Sequence, residues 1–419
     1  MPPPSARRRP VPTLPVLTGA VLNHWRRERR TLRQGLAALA ICVGVTVVAG
    51  VVLGAMEGLL ARLPGLLVMV PAAIGMRGAV FGALGARLGT GILTGQYEPG
   101  WQRSSFLGQN VEAAILLTAI MSGFLALAAR ASAGAFGLPT ISLWALLMIS
   151  VVGAAISSVI VLGGVLLLTR TAAARNWDMD AIGVPIISAL ADISTLPAIM
   201  IAALTVGNDV VHGVAGVAFG ALVVAATVYA LRHPGAIAKR IIAESLPVLF
   251  YAAIMGTLAG TVLSARLESL IANPALLVVV PPFVAACGAL GGILSARLAS
   301  QLHLGLVTPR RLPDRPALLD GTLVLLLALA AFAGVGALSE FAAAVTGLES
   351  PGVAALVAVA LLGGMLATAL LFLVAYYAAT TSYRFGLDPD NYGVPVVTAT
   401  MDLLGILCLV TAIATLGIG

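Results

Sequence analysis

From Leu36 to the C-terminus the chain runs through eleven apolar stretches of about 20 residues or more, parted by short polar segments. A helix of that length crosses the hydrocarbon layer of a bilayer. Within lipid, every backbone N–H and C=O must be satisfied inside a helix or around a closed barrel. Barrel strands alternate apolar and polar residues, and these stretches do not. Only 10% of the residues are charged, where a soluble domain carries about a quarter. The expected fold is therefore an all-α polytopic membrane protein with about 11 transmembrane helices.

Residues 1–35 read as a cytosolic basic arm whose second part, His24 to Arg33, is expected to lie along the membrane surface. Its arginines (Arg7, Arg8, Arg9, Arg26, Arg27, Arg29, Arg30 and Arg33) supply most of the net charge of +7. Attraction to the lipid bilayer and control of topology account for such a run without a nucleic-acid partner. Cys42, Cys287 and Cys408 are scattered among apolar residues with no paired spacing, so neither a disulfide nor a zinc site is expected.

The chain repeats itself. Residues 70–95 align without gaps on 280–305 at an offset of 210, with 10 of 26 positions identical, among them Gly78/Gly288, Arg87/Arg297 and Gly95/Gly305. Residues 178–193 align on 388–403 at the same offset, with 7 of 16 identical, including Asp178/Asp388, Asp180/Asp390, Pro185/Pro395 and Asp192/Asp402. Shared apolar composition does not keep Pro, Arg and Asp in register over such a distance. Duplication follows, with a first five-helix repeat at 36–206 and a second at 246–419.

Between them, 207–245 holds one further transmembrane helix and an interfacial segment. Five crossings leave the chain on the opposite side, so one added crossing lets the second repeat run in the same sense as the first. The expected relation is a pseudo-two-fold axis along the membrane normal, the parallel kind of repeat. With the N-terminus cytosolic and the C-terminus outside, Arg103, Arg170, Arg175, Arg232, Lys239, Arg240, Arg310, Arg311, Arg315 and Arg384 all fall inside, and only Arg62, Arg130 and Arg266 fall outside. The positive-inside rule asks for that bias, here in a multi-pass plasma-membrane protein.

An ionisable side chain inside a membrane is a functional hypothesis by default, because it is costly to place there. Asp192 and Asp402 each lie deep in the last helix of their repeat, with no Lys or Arg within a helical turn. A protonated aspartate bonded between helices is the structural alternative. Recurrence at the same register favours function. Ser188 and Thr398, four residues before the aspartates, share their helix face. Carboxylates and hydroxyls suit hard divalent cations rather than copper or tightly held zinc. Two facing carboxylates match the charge of one such ion, which in the case of Mg²⁺ keeps part of its water.

Other residues are more ambiguous. The Gly-rich second helices, Gly78 and Gly288 among them, are expected to pack closely through small residues; the alternative is that Pro71 and Pro281 open these helices and backbone near Gly78 and Gly288 lines a path. Asp178, Asp180, Asp388 and Asp390 precede the last helices, either as caps or as a mouth that concentrates cations. Glu112 and Asp320 begin the third helices, where capping is the plainer role and a coupling role the sharper one. His24, His212, His233 and His303 fall at interfaces or loops, and no nucleophile–base set or metal-ligand motif is visible, so no enzymatic activity is expected.

The segments Val70-Pro71…Gly78…Ala86-Arg87-Leu88…Gly95 and Asp388-Pro389-Asp390-Asn391…Pro395…Thr398…Asp402, with their partners at 280–305 and 178–192, resemble the membrane domain of the MgtE family and of solute carrier family 41. The resemblance implies a divalent-cation transporter, most often of Mg²⁺. It assigns Asp192 and Asp402 to the ion pathway and points to Ser188 and Thr398 at the preceding turn. It also implies a fused two-repeat form lacking cytosolic sensor domains, so that one chain suffices as a pseudo-dimer. A Na⁺- or H⁺-coupled exchanger of the same fold, and a non-transporting scaffold with structural aspartates, remain as alternatives.

Overall fold

The computed structural model describes residues 14–97, 102, 104–175, 179–206, 209–385 and 393–418. The described residues form fourteen helices and no strand. The first eight are α1 (Leu14–Arg27), α2 (Arg29–Ala55), the short α3 (Glu57–Arg62), α4 (Leu66–Leu93), α5 (Phe106–Ala135), α6 (Leu143–Arg175), α7 (Met179–Leu204) and α8 (Asp209–Arg232). The second half follows the same plan: α9 (Ala236–Ser264), the short α10 (Leu267–Ala272), α11 (Ala275–His303), α12 (Arg315–Thr346), α13 (Val353–Arg384) and α14 (Val394–Leu416). All but α1, α3 and α10 are long and apolar enough to cross a membrane, which makes eleven spans among the described residues.

Several boundaries differ from the sequence expectation. The arm expected at 1–35 is divided at Glu28, where α1 ends, and Arg29 to Arg33 form the first turns of α2. The apolar stretch that begins at Leu36 is divided between two helices, with a break at Met56. Likewise, 236–245 is the opening of α9 and not a separate interfacial segment. Pro71 and Pro281 do not open their helices but lie inside α4 and α11. There each removes the donor for the carbonyl four residues earlier, Leu67 or Leu277. The repeated Gly95 and Gly305 have a backbone reason: both take φ near 70° just past the ends of α4 and α11, a left-handed turn that a side chain resists.

The two halves are not two separate bundles. Helices α4 to α7 pack on one another, and so do α11 to α14. The first span of each half crosses over. Helix α2 lies against α11, α12 and α7, whereas α9 lies against α4, α5 and α14. With the repeat offset applied, these are the same contacts with the halves exchanged. Glycine permits the approach: a Cβ added at Gly50 of α2 would fall 2.2 Å from the Val278 carbonyl oxygen, and one at Gly260 of α9 would fall 2.2 Å from that of Val68. Without water to drive burial, close packing through small residues is what holds helices together in lipid.

Helix α8 packs on α5 and α6 and leaves Val214, Val217, Leu222 and Val224 exposed, as a helix bordering lipid does. Repeat-related polar pairs hold α4 to α5 and α11 to α12. Arg87 Nε donates to Asn110 Oδ1 at 2.9 Å, and Arg297 Nη2 donates to Asp320 Oδ1 at 2.7 Å, each member lying 210 residues from its counterpart.

Candidate functional site

A cavity of about 130 Å³ lies where α2, α4, α7, α11 and α14 meet. Its walls come from Val70, Pro71, Ile74 and Gly75 of α4, from Val280, Pro281, Val284, Ala285 and Gly288 of α11, and from Thr46 and Ala49 of α2. Asp192 of α7 and Asp402 of α14 complete it. The pairs Val70/Val280, Pro71/Pro281, Ile74/Val284, Gly75/Ala285 and Asp192/Asp402 all keep the 210 offset, so the two halves contribute in register. The space is several times the ~15 Å³ that admits one water. It therefore has room for a cation with part of its hydration shell.

The two aspartates face the same cavity. No described side chain gives either of them a hydrogen bond or an ion pair. The nearest arginine in sequence to the α4 wall, Arg77, is buried and turned away, with Nη1 donating to the Gly153 carbonyl oxygen of α6 at 3.3 Å. A buried carboxylate is normally held by hydrogen bonds or a counter-ion. Here two share an otherwise apolar chamber, and such a chamber strengthens their attraction for a mobile cation.

The halves differ in detail. Asp402 Oδ2 lies against Gly75, where a Cβ would come within 3.3 Å of it, while the corresponding position in the other half is Ala285. Thr46 is the wall's one hydroxyl. Its Oγ1 donates to the Cys42 carbonyl oxygen at 2.7 Å, which leaves lone pairs free to accept or to coordinate. The residue 210 positions on is Gly256, packed so tightly on Ala72 that a Cβ would fall 2.6 Å from its Cα. Only one of the two crossing helices thus reaches the chamber. Repeat comparison passes over Thr46 for that reason, since its counterpart has no side chain.

Of the residues singled out in sequence, Asp192, Asp402 and Gly288 line the chamber. Gly78 does not, although the space beside it is open to 4 Å. Ser188 and Thr398 are half-buried and do not line it either, and the Thr398 hydroxyl donates to the Pro395 carbonyl oxygen at 3.0 Å. Sharing a helix face with the aspartates did not bring them to the chamber, because they sit a full turn away along the axis. Glu112 accepts a hydrogen bond from Tyr229 Oη of α8 at 2.9 Å. Asp320 is fully buried, taking hydrogen bonds from Arg297 and Gln301, with His24 Nε2 at 3.3 Å. Asp180 opens α7, its side chain lying outside the described residues together with Asp178, Asp388 and Asp390.

A family model described as MgtE, divalent cation transporter, matches the chain twice, over residues 70–202 and 280–412. The matches start 210 residues apart, and each runs from the Pro-bearing second span to the aspartate-bearing fifth. No curated protein and no solved structure matches the chain.

Proposed function

Because the chain belongs to the MgtE family of divalent cation transporters, a membrane transporter family and not an enzyme family, we propose that it carries Mg²⁺ through the chamber between its two repeats, with Asp192 and Asp402 holding the ion. The observation that carries this reading is that both aspartates, neither in an ion pair with a described residue, line one cavity. Their joint charge of −2 balances one divalent ion.

Ca²⁺ takes six to eight oxygen ligands directly, whereas Mg²⁺ dehydrates reluctantly and is held through one or two carboxylates and its own waters. Two carboxylates, one hydroxyl and apolar walls fit the second pattern. The ion then sits partly hydrated between the aspartates, with Thr46 accepting from one of its waters. Ser188 and Thr398 act one turn along the path and not in the chamber itself. In this reading the repeats run parallel, the N-terminus is cytosolic and the C-terminus outside, in the plasma membrane, and one chain suffices. The acidic residues before the fifth spans, Asp178, Asp180, Asp388 and Asp390, form the cytosolic mouth.

Glu112 and Asp320, the groups that a Na⁺- or H⁺-coupled exchanger would recruit, are engaged away from the chamber. That favours passage without coupling through them. A scaffold with structural aspartates is disfavoured because neither aspartate bonds a neighbouring described helix. The test is ion flux in proteoliposomes with Mg²⁺, Mn²⁺, Zn²⁺ and Ca²⁺, with and without Na⁺ and pH gradients. Mg²⁺ flux through the wild-type chain and its loss in the Asp192→Asn/Asp402→Asn double variant are expected. A double variant that still conducts would overturn the site.

A further inference from the structure

The segment joining α1 to α2 has two chemically opposite faces. Its inner face is fixed to the second half: Arg297 Nη1 donates to Glu28 Oε2 at 3.1 Å, Trp25 Nε1 donates to Thr322 Oγ1 at 3.2 Å, and His24 sits beside Asp320. Its outer face presents Arg26, Arg27, Arg29, Arg30 and Arg33, all exposed and none in an ion pair with a described residue. Five unpaired guanidinium groups within eight residues repel one another. Arg26 and Arg27 close α1, and Arg29, Arg30 and Arg33 lie in the first turns of the membrane-spanning α2, the level at which lipid headgroups lie.

We infer that this outer face binds anionic lipid headgroups, and that the bound surface steadies the cavity-lining helix α11 through the Glu28–Arg297 contact. The coupling route is short. Arg297 stands nine residues beyond the cavity-lining Gly288 on the same helix, about 14 Å along its axis. The device exists in one half only. At the register of Asp320 the first half has Asn110, which bonds Arg87 without a carboxylate, and α1 packs on α12 of the second half and on α2, the helix it leads into. Each basic residue near an anionic surface contributes roughly a fivefold preference, and guanidinium groups hold phosphate in two-pronged hydrogen bonds. Removal of anionic lipid leaves the mutual repulsion of the arginines unopposed, which loosens Glu28 from Arg297 and frees the end of α11.

This inference rests on the proposed cation path, so the experiment reads lipid and ion separately. The full chain is reconstituted in phosphatidylcholine vesicles with and without phosphatidylglycerol, and Mg²⁺ flux is measured alongside retention of phosphatidylglycerol by native mass spectrometry. Phosphatidylglycerol should raise wild-type flux several-fold, and inorganic phosphate should not substitute for it. Arg26→Gln/Arg27→Gln, which leaves the flanking arginines of α2 for insertion, should weaken lipid retention by about 25-fold (two fivefold losses). Glu28→Gln should keep the lipid but lose its effect on flux. Lipid retention unchanged in the arginine pair overturns the surface, and a full lipid response in Glu28→Gln overturns the coupling. Wild-type protein that retains phosphatidylglycerol but conducts no divalent ion in any vesicle refutes the cation path while leaving the lipid surface standing.

Discussion

A carboxylate at the middle of a membrane helix costs roughly 2.5–3.5 kcal/mol to insert, and this chain meets that cost twice at one register. Neighbouring single residues decide how the pair is used. Gly75 leaves the Asp402 carboxylate its space, and Gly75→Ala should push that group aside, lowering the apparent affinity for Mg²⁺ in flux assays with little change in thermal stability. Ala285→Gly, the matching change in the other half, should be tolerated. Thr46→Val keeps the shape of the side chain and removes the chamber's one hydroxyl, so it should raise the ion concentration needed for half-maximal flux without unfolding the protein. Glu28 gives a pH prediction. Burial pushes its carboxyl up, but the Thr31 hydroxyl and the Arg297 guanidinium outweigh this and hold it below the ordinary value of 4.5. A depressed carboxylate contributes stability above its unfolded value and loses it as pH falls through the folded one. With His24, Arg297 and Asp320 facing it, the docked arm should therefore persist from neutral pH down to about 4.5 and release only below that. Acrylamide quenching of Trp25 fluorescence along a pH series checks this; release near neutral pH contradicts it.

Among the elements, the crossing helices α2 and α9 carry the most consequence. Each seats a glycine on a backbone carbonyl of the opposite half, Gly50 on Val278 and Gly260 on Val68. Both contacted residues stand one turn before the Pro71 and Pro281 level of the chamber wall. Gly50→Val or Gly260→Val should force the helices apart and destabilise by about 1–3 kcal/mol, the usual range for overpacking. A fall in melting temperature in detergent measures it, and the same change at Gly44, where nothing lies within 4 Å, serves as the neutral control. The number of spans was legible in sequence, because apolar length marks a membrane helix directly. Their interior breaks were not. The interruption at Met56 and the placement of Pro71 and Pro281 inside helices depend on which backbone groups find partners nearby, which composition does not record.

At the scale of the whole molecule, the exchange of first helices makes the two halves one structure. Neither half, taken alone, keeps the helix that covers its second and third spans. Fragments 1–206 and 207–419 expressed together should associate and conduct, whereas either expressed singly should be degraded or aggregate, as co-purification through a tag on one fragment will show. Separate, stable, monodisperse halves would contradict the exchange. The amino-acid sequence by itself determined the solvent, the eleven spans, the duplication at 210 and the two aspartates, since each is a one-dimensional quantity: length, period, identity, register. Only the tertiary structure decided that α2 and α9 change sides, that Thr46 enters the chamber while Ser188 and Thr398 stay out of it, and that Asp320 and Glu112 serve other contacts. In lipid the hydrophobic effect does not tell one apolar helix face from another. Which faces meet is settled by small residues and polar pairs that lie far apart in sequence, and these become neighbours only once the helices are packed.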